Sequence, residues 1–408
     1  MSAASNFKKA NATGSPFEVF RVFLKLGLTS FGGPIAHLGY YHNELVLRRH
    51  WIDEESYVQL VALCQFLPGP ASSQVGFSLG LLRGNGFLGG LAAWAAFTLP
   101  SAFILIAFGL GANAFTGPVA EGFIHGLKLV AVAVVAQAVW GMAKSLTPDR
   151  SRAAIALSAL FLVALVSNSF AQIAAIALGA VGGLWLCRGD GNTVQGALRF
   201  PVSRRGGAIS LALFVGFLVV PPAIAAATGD PTVGFFDAFF RSGALVFGGG
   251  HVVLPLLQNA VVAPGMVHNQ DFLAGYGLAQ AVPGPLFTFA AYLGAVAVQW
   301  PNGIAGALLA LVAIFLPGLL LVYGTLPYWD DLRSKPGTQA AMKGANAAVV
   351  GILAAALYNP VWTSAVLSPR DFASAAAGFL LLTVWKLPSW SVVMLLALAG
   401  VAASVSGA

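Results

Sequence analysis

Two short motifs rich in proline and glycine interrupt long apolar stretches of the chain. One reads QFLPGP at 65–70 and the other QAVPGP at 280–285. Proline removes a backbone donor and glycine permits an otherwise costly bend, so a helix stops there and a new helix starts with unpaired N–H groups. Such an N-terminus attracts anions. Hydroxyl groups follow each break, at Ser72 and Ser73 and at Thr288, where they either cap the helix or bind a ligand.

A structural kink is the simpler interpretation of a single break, but a matching break in each half of the chain favours a function. A pair of glycine motifs precedes the two breaks, with TSFGGP at 29–34 and LVFGGG at 245–250. Gln65 and Gln280 stand three residues before the broken segment, where an amide either binds a ligand or ties one helix to another.

Two cations inside apolar segments suggest the sign of the ligand. Lys25 and Arg241 occupy equivalent positions before the two glycine motifs. Acidic residues are rare in these segments, and cations without carboxylate partners point to an anionic ligand, whereas snorkelling to the lipid headgroups is the alternative. The predicted substrate-binding residues are Lys25, Ser30, Gly32, Gly33, Gln65, Pro68, Gly69, Pro70, Ser72, Ser73, Arg241, Gly248, Gly249, Gln280, Pro283, Gly284, Pro285 and Thr288.

The elements that carry these residues belong to a membrane protein. Of the 408 residues, 58% are hydrophobic and 9% are charged, which is far from the composition of a soluble domain. The two cysteines show no metal-ligand spacing, and nucleotide-binding and zinc-helix motifs do not occur. We therefore expect no cofactor, no metal site and no nucleic-acid partner, and the lipid bilayer is the expected surrounding.

The chain also repeats itself. The glycine motifs, the PGP motifs, the segments at 86–100 and 303–317 and a later glycine pair recur in the same order at nearly constant separation. The sequence predicts an all-α polytopic membrane protein of two halves with six apolar segments each, at 17–38, 56–82, 86–112, 123–143, 153–167 and 170–186, then at 235–258, 272–298, 303–326, 340–358, 372–386 and 390–405.

One further apolar segment, 208–227, connects the halves, so the second half starts from the opposite face and the repeats have inverted topology. The predicted units are a polar N-terminus (1–16), a first repeat (17–187), a basic linker with the connecting helix (188–234) and a second repeat (235–408). Lys and Arg in short loops predict a cytoplasmic N-terminus and a periplasmic C-terminus. Arg370 and the pair Arg48 and Arg49 do not fit, although re-entrant hairpins at the motifs would move that pair inside.

The motif segments resemble those of the chromate ion transporter (CHR) family in its long two-domain form. The resemblance rests on FLKLGLTSFGGPIAHLGYYHNELV, WIDEESYVQLVALCQFLPGPASSQVGFSLG, LVFGGGHVVLPLL and LAQAVPGPLFTFAAYLG and covers about residues 17 to 405. It implies a bacterial inner-membrane carrier that exports chromate and confers resistance, driven by the membrane potential or the proton gradient. Gly250 and Val253 replace Pro34 and His37 of the first half, so we expect the halves to differ in function.

The expected function is secondary active transport of a tetrahedral oxyanion by alternating access, with chromate as substrate and efflux as direction. Sulfate or another oxyanion and an anion channel stay open as alternatives, whereas a membrane-embedded enzyme is disfavoured because no catalytic constellation is found. Coupling protons and a homodimer stay open as further partners. The acidic start of WIDEES and the histidines 37, 125 and 251 fit capping and packing better than proton transfer.

Overall fold

A computed structural model of the chain describes residues 14–111, 117–166, 169–187, 200–247, 249–329 and 335–405. All regular secondary structure in these ranges is helical. The helices of the first half are α1 (Pro16–Thr29), α2 (Gly33–Tyr41), α3 (Glu54–Phe66), α4 (Ala71–Arg83), α5 (Phe87–Gly111), α6 (Pro118–Leu146), α7 (Arg150–Leu165) and α8 (Ser169–Leu186), and α9 (Arg204–Thr228) connects the halves.

The second half repeats this order with small changes. Its helices are α10 (Pro231–Ala244), α11 (Val253–Leu257), α12 (Asn269–Ala279), α13 (Phe289–Ala295), α14 (Gly303–Thr325), α15 (Pro336–Ala356), α16 (Thr363–Ala365), α17 (Pro369–Thr383) and α18 (Ser389–Val405). Short 3₁₀ turns precede α11 and α13, and π-helical turns follow α2, α11 and α15. The predicted helix start at WIDEES is confirmed, because the Asp53 side chain accepts a hydrogen bond from Ser56 N at the N-terminus of α3.

The glycine and PGP motifs of the first half lie at the tips of two re-entrant hairpins. Arg83, at the end of α4, forms an ion pair with Glu18 near the start of α1, with a distance of 3.0 Å. The same guanidinium lies 5.5 Å from the ring of Trp51, which follows α2. The chain therefore returns to one side after each break. The sequence left both full crossings and re-entrant hairpins open for 17–38 and 56–82, and both segments turn back at their breaks.

The second half forms two matching hairpins. Val298 N, beyond the end of α13, donates to Met266 O, and Gly234 of α10 lines the same surface cavity as Met266. The helices of all four hairpins are at most 14 residues long, or about 21 Å, whereas a crossing needs about 30 Å. We call the side of Glu18, Trp51 and Arg83 the first face and the side of Gly234, Met266 and Val298 the second face.

The two faces lie at opposite ends of the long helices α5 and α14. The start of α5 packs on α4, where Gly89 contacts Gly84, and its end packs on α13, where Gly109 contacts Ala295. Helix α14 runs the other way, since Tyr323 near its end stacks edge-on to Phe87 at the start of α5, with 5.7 Å between ring centroids. Equivalent helices thus run in opposite directions, as predicted for inverted repeats.

Five helices in the described part of the chain are long and apolar enough to cross a membrane, namely Phe87–Gly111, Pro118–Leu146, Arg204–Thr228, Gly303–Tyr328 and Pro336–Ala365. The connecting helix α9 is the least buried of them, so it packs at the periphery. Helices α7, α8, α17 and α18 are shorter, at 15 to 18 residues.

The two halves exchange their last helices. Helix α8 of the first half packs on α15 of the second, and α18 of the second packs on α6 of the first. Equivalent glycines allow these close approaches, because Gly344 lies against Gly179 and Gly183, and Gly126 lies against Leu396. The larger hydrophobic core consequently draws on both halves.

Candidate functional site

The four broken segments meet through two main-chain hydrogen bonds between the halves. Gly69 N, in the first PGP motif, donates to Val246 O, in the second glycine motif, over 2.7 Å. Gly284 N, in the second PGP motif, donates to Ser30 O, in the first glycine motif, over 2.9 Å. Ser30 and Val246 are equivalent positions, as are Gly69 and Gly284. Each PGP break therefore pairs with the glycine break of the other half.

A pseudo-two-fold axis passes close to the glycine motifs. Gly250 and Pro34 are equivalent positions, and a Cβ atom on Gly250 would lie 3.2 Å from Pro34 Cγ. Two equivalent residues contact each other only if they lie beside the axis that relates them. The motifs of both halves therefore surround one central region at the repeat interface, which is where inverted-repeat transporters bind substrate.

The PGP glycines have backbone conformations that other residues rarely adopt. The φ angle is +119° at Gly69 and +109° at Gly284. Each glycine also packs closely on the long helix of one half, because a Cβ atom would lie 3.0 Å from Gly318 Cα at the first site and 2.8 Å from Ser101 Oγ at the second. Gly318 and Ser101 are again equivalent positions. Both the turn and the close approach require glycine.

Buried polar side chains surround the N-terminus of α4. Ser72, Ser73 and Gln74 occupy its first turn and are at most 2% exposed, and no side chain caps this helix. His37 of α2 is fully buried, and its Nδ1 lies 3.3 Å from Ser72 Oγ. The Gln74 amide nitrogen donates to the carbonyl of Pro68 over 3.0 Å. A 13-residue helix thus directs its positive end into a buried polar cluster.

The equivalent segment of the second half differs from the expectation. The chain forms a 3₁₀ turn from Leu286 to Thr288 before α13, and both the main-chain N–H and the hydroxyl of Thr288 bond to Pro285 O, at 3.0 and 2.7 Å. The Thr288 hydroxyl is therefore engaged within the turn, which is the capping alternative of the two left open by the sequence. The hydroxyl completes the turn because the carbonyl of a residue before a tight turn is its nearest acceptor.

The remaining motif residues lie around the same breaks. Gln65 is exposed, whereas Gln280 is partly buried and donates weakly to Tyr276 O over 3.5 Å. Gly32, Gly33 and Gly249 have positive φ angles, and Gly248 lies outside the described residues. Pro70 and Pro285 directly precede the restarting helices, as predicted, while Pro68 and Pro283 lie within the turns.

Lys25 has a carboxylate partner, so the premise that this cation is unpaired, from which an anionic ligand was predicted, is wrong. Its Nζ lies 3.4 Å from Glu44 Oε2, and the same carboxylate binds Arg48 at 3.0 Å and Arg49 at 2.9 Å. Partial burial opposes ionisation of Glu44, but its hydrogen bonds from Arg49 and Arg48 and the charge of Lys25 hold its pKa below the usual range. The cluster at the first face still carries more positive than negative groups.

Arg241 also has an acidic partner. Its Nη2 donates to both carboxylate oxygens of Asp237, one helical turn earlier, over 3.1 Å. This pair lines a cavity of about 430 Å³ at the second face, together with Gln172 and Asn259. Glu44 could not be recognised from the sequence as a partner of Lys25 because it lies outside the apolar segments. Asp237 could have been recognised as a partner of Arg241, because residues four apart on a helix are neighbours.

A side-chain hydrogen bond also joins the halves, away from the breaks. His125 Nε2 of α6 lies 2.7 Å from Asp371 Oδ1 at the start of α17. Asp371 N donates to Ser368 Oγ, which caps α17, so the contact with His125 holds the start of α17 against α6. This arrangement agrees with the interpretation of His125 as a packing residue.

Comparison with known proteins gives one consistent result. The family model described as chromate transporter matches residues 17–184 and again residues 233–402. The chain is 29% identical to a probable chromate transport protein of Synechococcus elongatus, covering 94% of each protein. It is 28% identical to the chromate transport protein of Pseudomonas aeruginosa, covering 93% of this chain and 90% of the relative. The chromate transport protein of Cupriavidus metallidurans is 27% identical, covering 95% of this chain and 92% of the relative. No solved structure matches the chain.

Proposed function

Because the chain belongs to the chromate transporter family, we propose that it is a secondary carrier that exports chromate from the cytoplasm by alternating access. Chromate is a tetrahedral dianion, so its binding requires donors and positive potential and no carboxylate at the contact. The buried polar cluster at the N-terminus of α4 meets this requirement. The proposed site therefore lies among the four breaks at the repeat interface.

The observation that supports a carrier mechanism is the pairing of each PGP break with the glycine motif of the other half. The bonds from Gly69 to Val246 and from Gly284 to Ser30 are related by the pseudo-two-fold axis. Because the two bonds are equivalent, the axis relates every change in one half to a matching change in the other half. If one change opens the site to the first face, the matching change opens it to the second face. Such a pair of related states is what alternating access needs.

Charge at the first face supports the direction of transport and the orientation in the membrane. Arg48, Arg49 and Arg83 lie on this face, and Lys and Arg are enriched in cytoplasmic loops. The re-entrant hairpins place Arg48 and Arg49 with the other basic residues of the first half. We assign the first face to the cytoplasm of a bacterial inner membrane, with the C-terminus periplasmic, and its excess cations would attract the dianion from that side.

Transport in inside-out membrane vesicles from cells that express the full chain tests this function. We expect saturable uptake of radiolabelled chromate, and faster uptake of label when the vesicles are preloaded with unlabelled chromate, because a carrier exchanges substrate across the membrane. Uptake no greater than in vesicles without the protein would contradict chromate export. Flux that neither saturates nor shows this exchange would instead identify a channel, and competition by sulfate and molybdate measures selectivity.

A further inference from the structure

Unpartnered polar atoms in the described residues concentrate at one place in the first half. Nine buried side-chain atoms have no hydrogen-bond partner, and six of them belong to residues around the tips of the first-half hairpins. These six residues are at most 2% exposed. They are Ser30, His37, Tyr41, Ser73, Gln74 and Thr98. Because a buried polar group without a partner is costly, such a concentration indicates a ligand site.

Contacts between neighbouring residues hold this cluster together. The ring of His37 stacks edge-on to Phe97, with 5.2 Å between centroids, and Phe97 immediately precedes Thr98. The other side of His37 approaches Ser72 at the start of α4. Gly284 then closes the group from the second half, bonded to Ser30 O and positioned so that a Cβ atom would lie 3.3 Å from Phe97 O.

At the six equivalent positions of the second half, each residue either is hydrophobic or has its polar side chain hydrogen-bonded. Five of these residues are hydrophobic and the sixth is Thr288, whose hydroxyl bonds to Pro285 O. All are buried. In the order of the first-half residues, they are Val246, Val253, Leu257, Thr288, Phe289 and Phe315. At these six positions the repeat therefore keeps the backbone of both breaks but places unpartnered polar atoms on one side of the axis, whereas a partly buried histidine of the second half, His251, is bonded to Tyr276 OH over 2.7 Å.

We propose that the first half alone supplies the side chains that bind the oxyanion, and that the second half closes the site with an apolar wall. The Ser30, Ser73 and Thr98 hydroxyls donate to oxyanion oxygens, together with the N–H groups that begin α4. The Gln74 amide nitrogen already donates to Pro68 O and Gly318 O, so this side chain offers an acceptor only and is not counted among the donors. This inference rests on the proposed transport of chromate.

Ser73 and Thr288 provide a matched pair because they occupy equivalent positions. The purified full-length protein is titrated with chromate at constant salt and pH, and the dissociation constant is measured by equilibrium dialysis. We expect Ser73→Ala to raise the Kd at least fivefold and Thr288→Val less than twofold. Thr325→Val, which removes another buried hydroxyl that already bonds to Leu321 O, serves as the control for hydroxyl removal.

Thr98→Val gives a second, nearly isosteric test should Ser73→Ala fail to fold, and thermal unfolding of each variant separates misfolding from weak binding. Equal effects of Ser73→Ala and Thr288→Val, or unchanged binding in both Ser73→Ala and Thr98→Val, would overturn the inference. This failure is distinguishable from failure of the proposed function. If the wild-type protein binds and transports chromate but these variants behave as the wild type does, the function stands and the binding site lies elsewhere.

Discussion

The two halves share one backbone design at their breaks but not the side chains around it. Gly69 and Gly284 have φ angles within 10° of each other, and each donates to a carbonyl in the glycine motif of the other half. Around the first break lie histidine, serine and glutamine with unpartnered polar atoms, whereas valine and phenylalanine occupy most of the equivalent positions of the second half and its polar side chains, Thr288 and His251, are hydrogen-bonded. Inverted symmetry thus constrains the main chain that both halves use for pairing, and leaves the side chains free to diverge.

The asymmetry extends to the two faces. At the first face, one buried carboxylate, Glu44, is shared by three cations. At the second face, Arg241 and Asp237 form a simple pair beside a cavity. The positive excess of the Glu44 cluster fits collection of a dianion at the first face, and the balanced pair at the second face fits its release. The predictions below test whether the halves have unequal roles.

The largest effect is expected when three polar residues of the first break become valine, which is the second-half residue at two of these positions. The triple variant Ser30→Val, His37→Val and Thr98→Val removes three polar groups from the proposed site. Since a hydrogen bond to a charged group contributes about 1.5–3 kcal/mol, chromate transport should fall at least about 100-fold. Initial rates of chromate uptake into inside-out vesicles measure the effect.

The corresponding single change in the second half, Val253→Ala, should leave more than half of the wild-type rate once rates are corrected for the amount of protein in the membrane. Val253 is buried and apolar, so this change alters packing only. A triple variant that transports at the wild-type rate would show that the polar cluster has no part in transport.

A smaller effect is expected from adding a methyl group to each PGP glycine. A side chain at this φ costs about 1–3 kcal/mol, so both Gly69→Ala and Gly284→Ala should lose activity, by about tenfold or more at Gly69. The added Cβ meets main chain of Gly318 in the first case but the Ser101 side chain in the second. Adding Ser101→Gly should therefore restore part of the activity of Gly284→Ala.

Vesicle transport and thermal unfolding of the three variants check this result. If Ser101→Gly does not improve Gly284→Ala at all, then strain in the backbone, rather than the contact with α5, dominates at the second break. Equal losses at Gly69 and Gly284 would mean that their surroundings, although different, matter less than their shared conformation.

The smallest effect is expected at the two faces. Glu44→Gln removes the negative charge from the cation cluster, and the apparent KM for chromate at the first face should fall about twofold to fivefold at low salt. The change should disappear near 1 M salt, where the Debye length is about 3 Å. Asp237→Asn alters the second face and should leave that KM unchanged, so an equal response of the two variants would contradict the assignment of the faces.

The breaks and the repeat are predictable from the sequence because proline and glycine act locally and recur at fixed separation. Their crosswise pairing is not, since it depends on how the hairpins meet through main-chain atoms of Val246 and Ser30, which carry no special sequence signal. The re-entrant path could only be left open, because apolar segments of 22 to 27 residues fit either a crossing or a hairpin. The misfit of Arg48 and Arg49 with the rule for basic loops was the one indication of a hairpin, because a hairpin moves both residues to the basic side.

The site residues divide in the same way. Ser30, Ser72 and Ser73 stand beside the motifs and were predicted from that proximity. His37 and Thr98, which belong to the proposed site, were not predicted as part of it because each looks like a single polar residue in an apolar segment. A usable signal exists in the alignment of the two halves, where a polar residue of the first half faces an apolar residue of the second, as His37 and Val253 already indicated.

The most direct test of the account is an experimental structure of the full-length protein, determined by electron cryomicroscopy with saturating chromate. We predict density for the oxyanion between the N-terminus of α4 and α2, within hydrogen-bond distance of the Ser30 and Ser73 hydroxyls and next to His37. Density beside Thr288 and Phe289, or only in the cavity at Arg241, would contradict the claim that the first half alone binds the substrate.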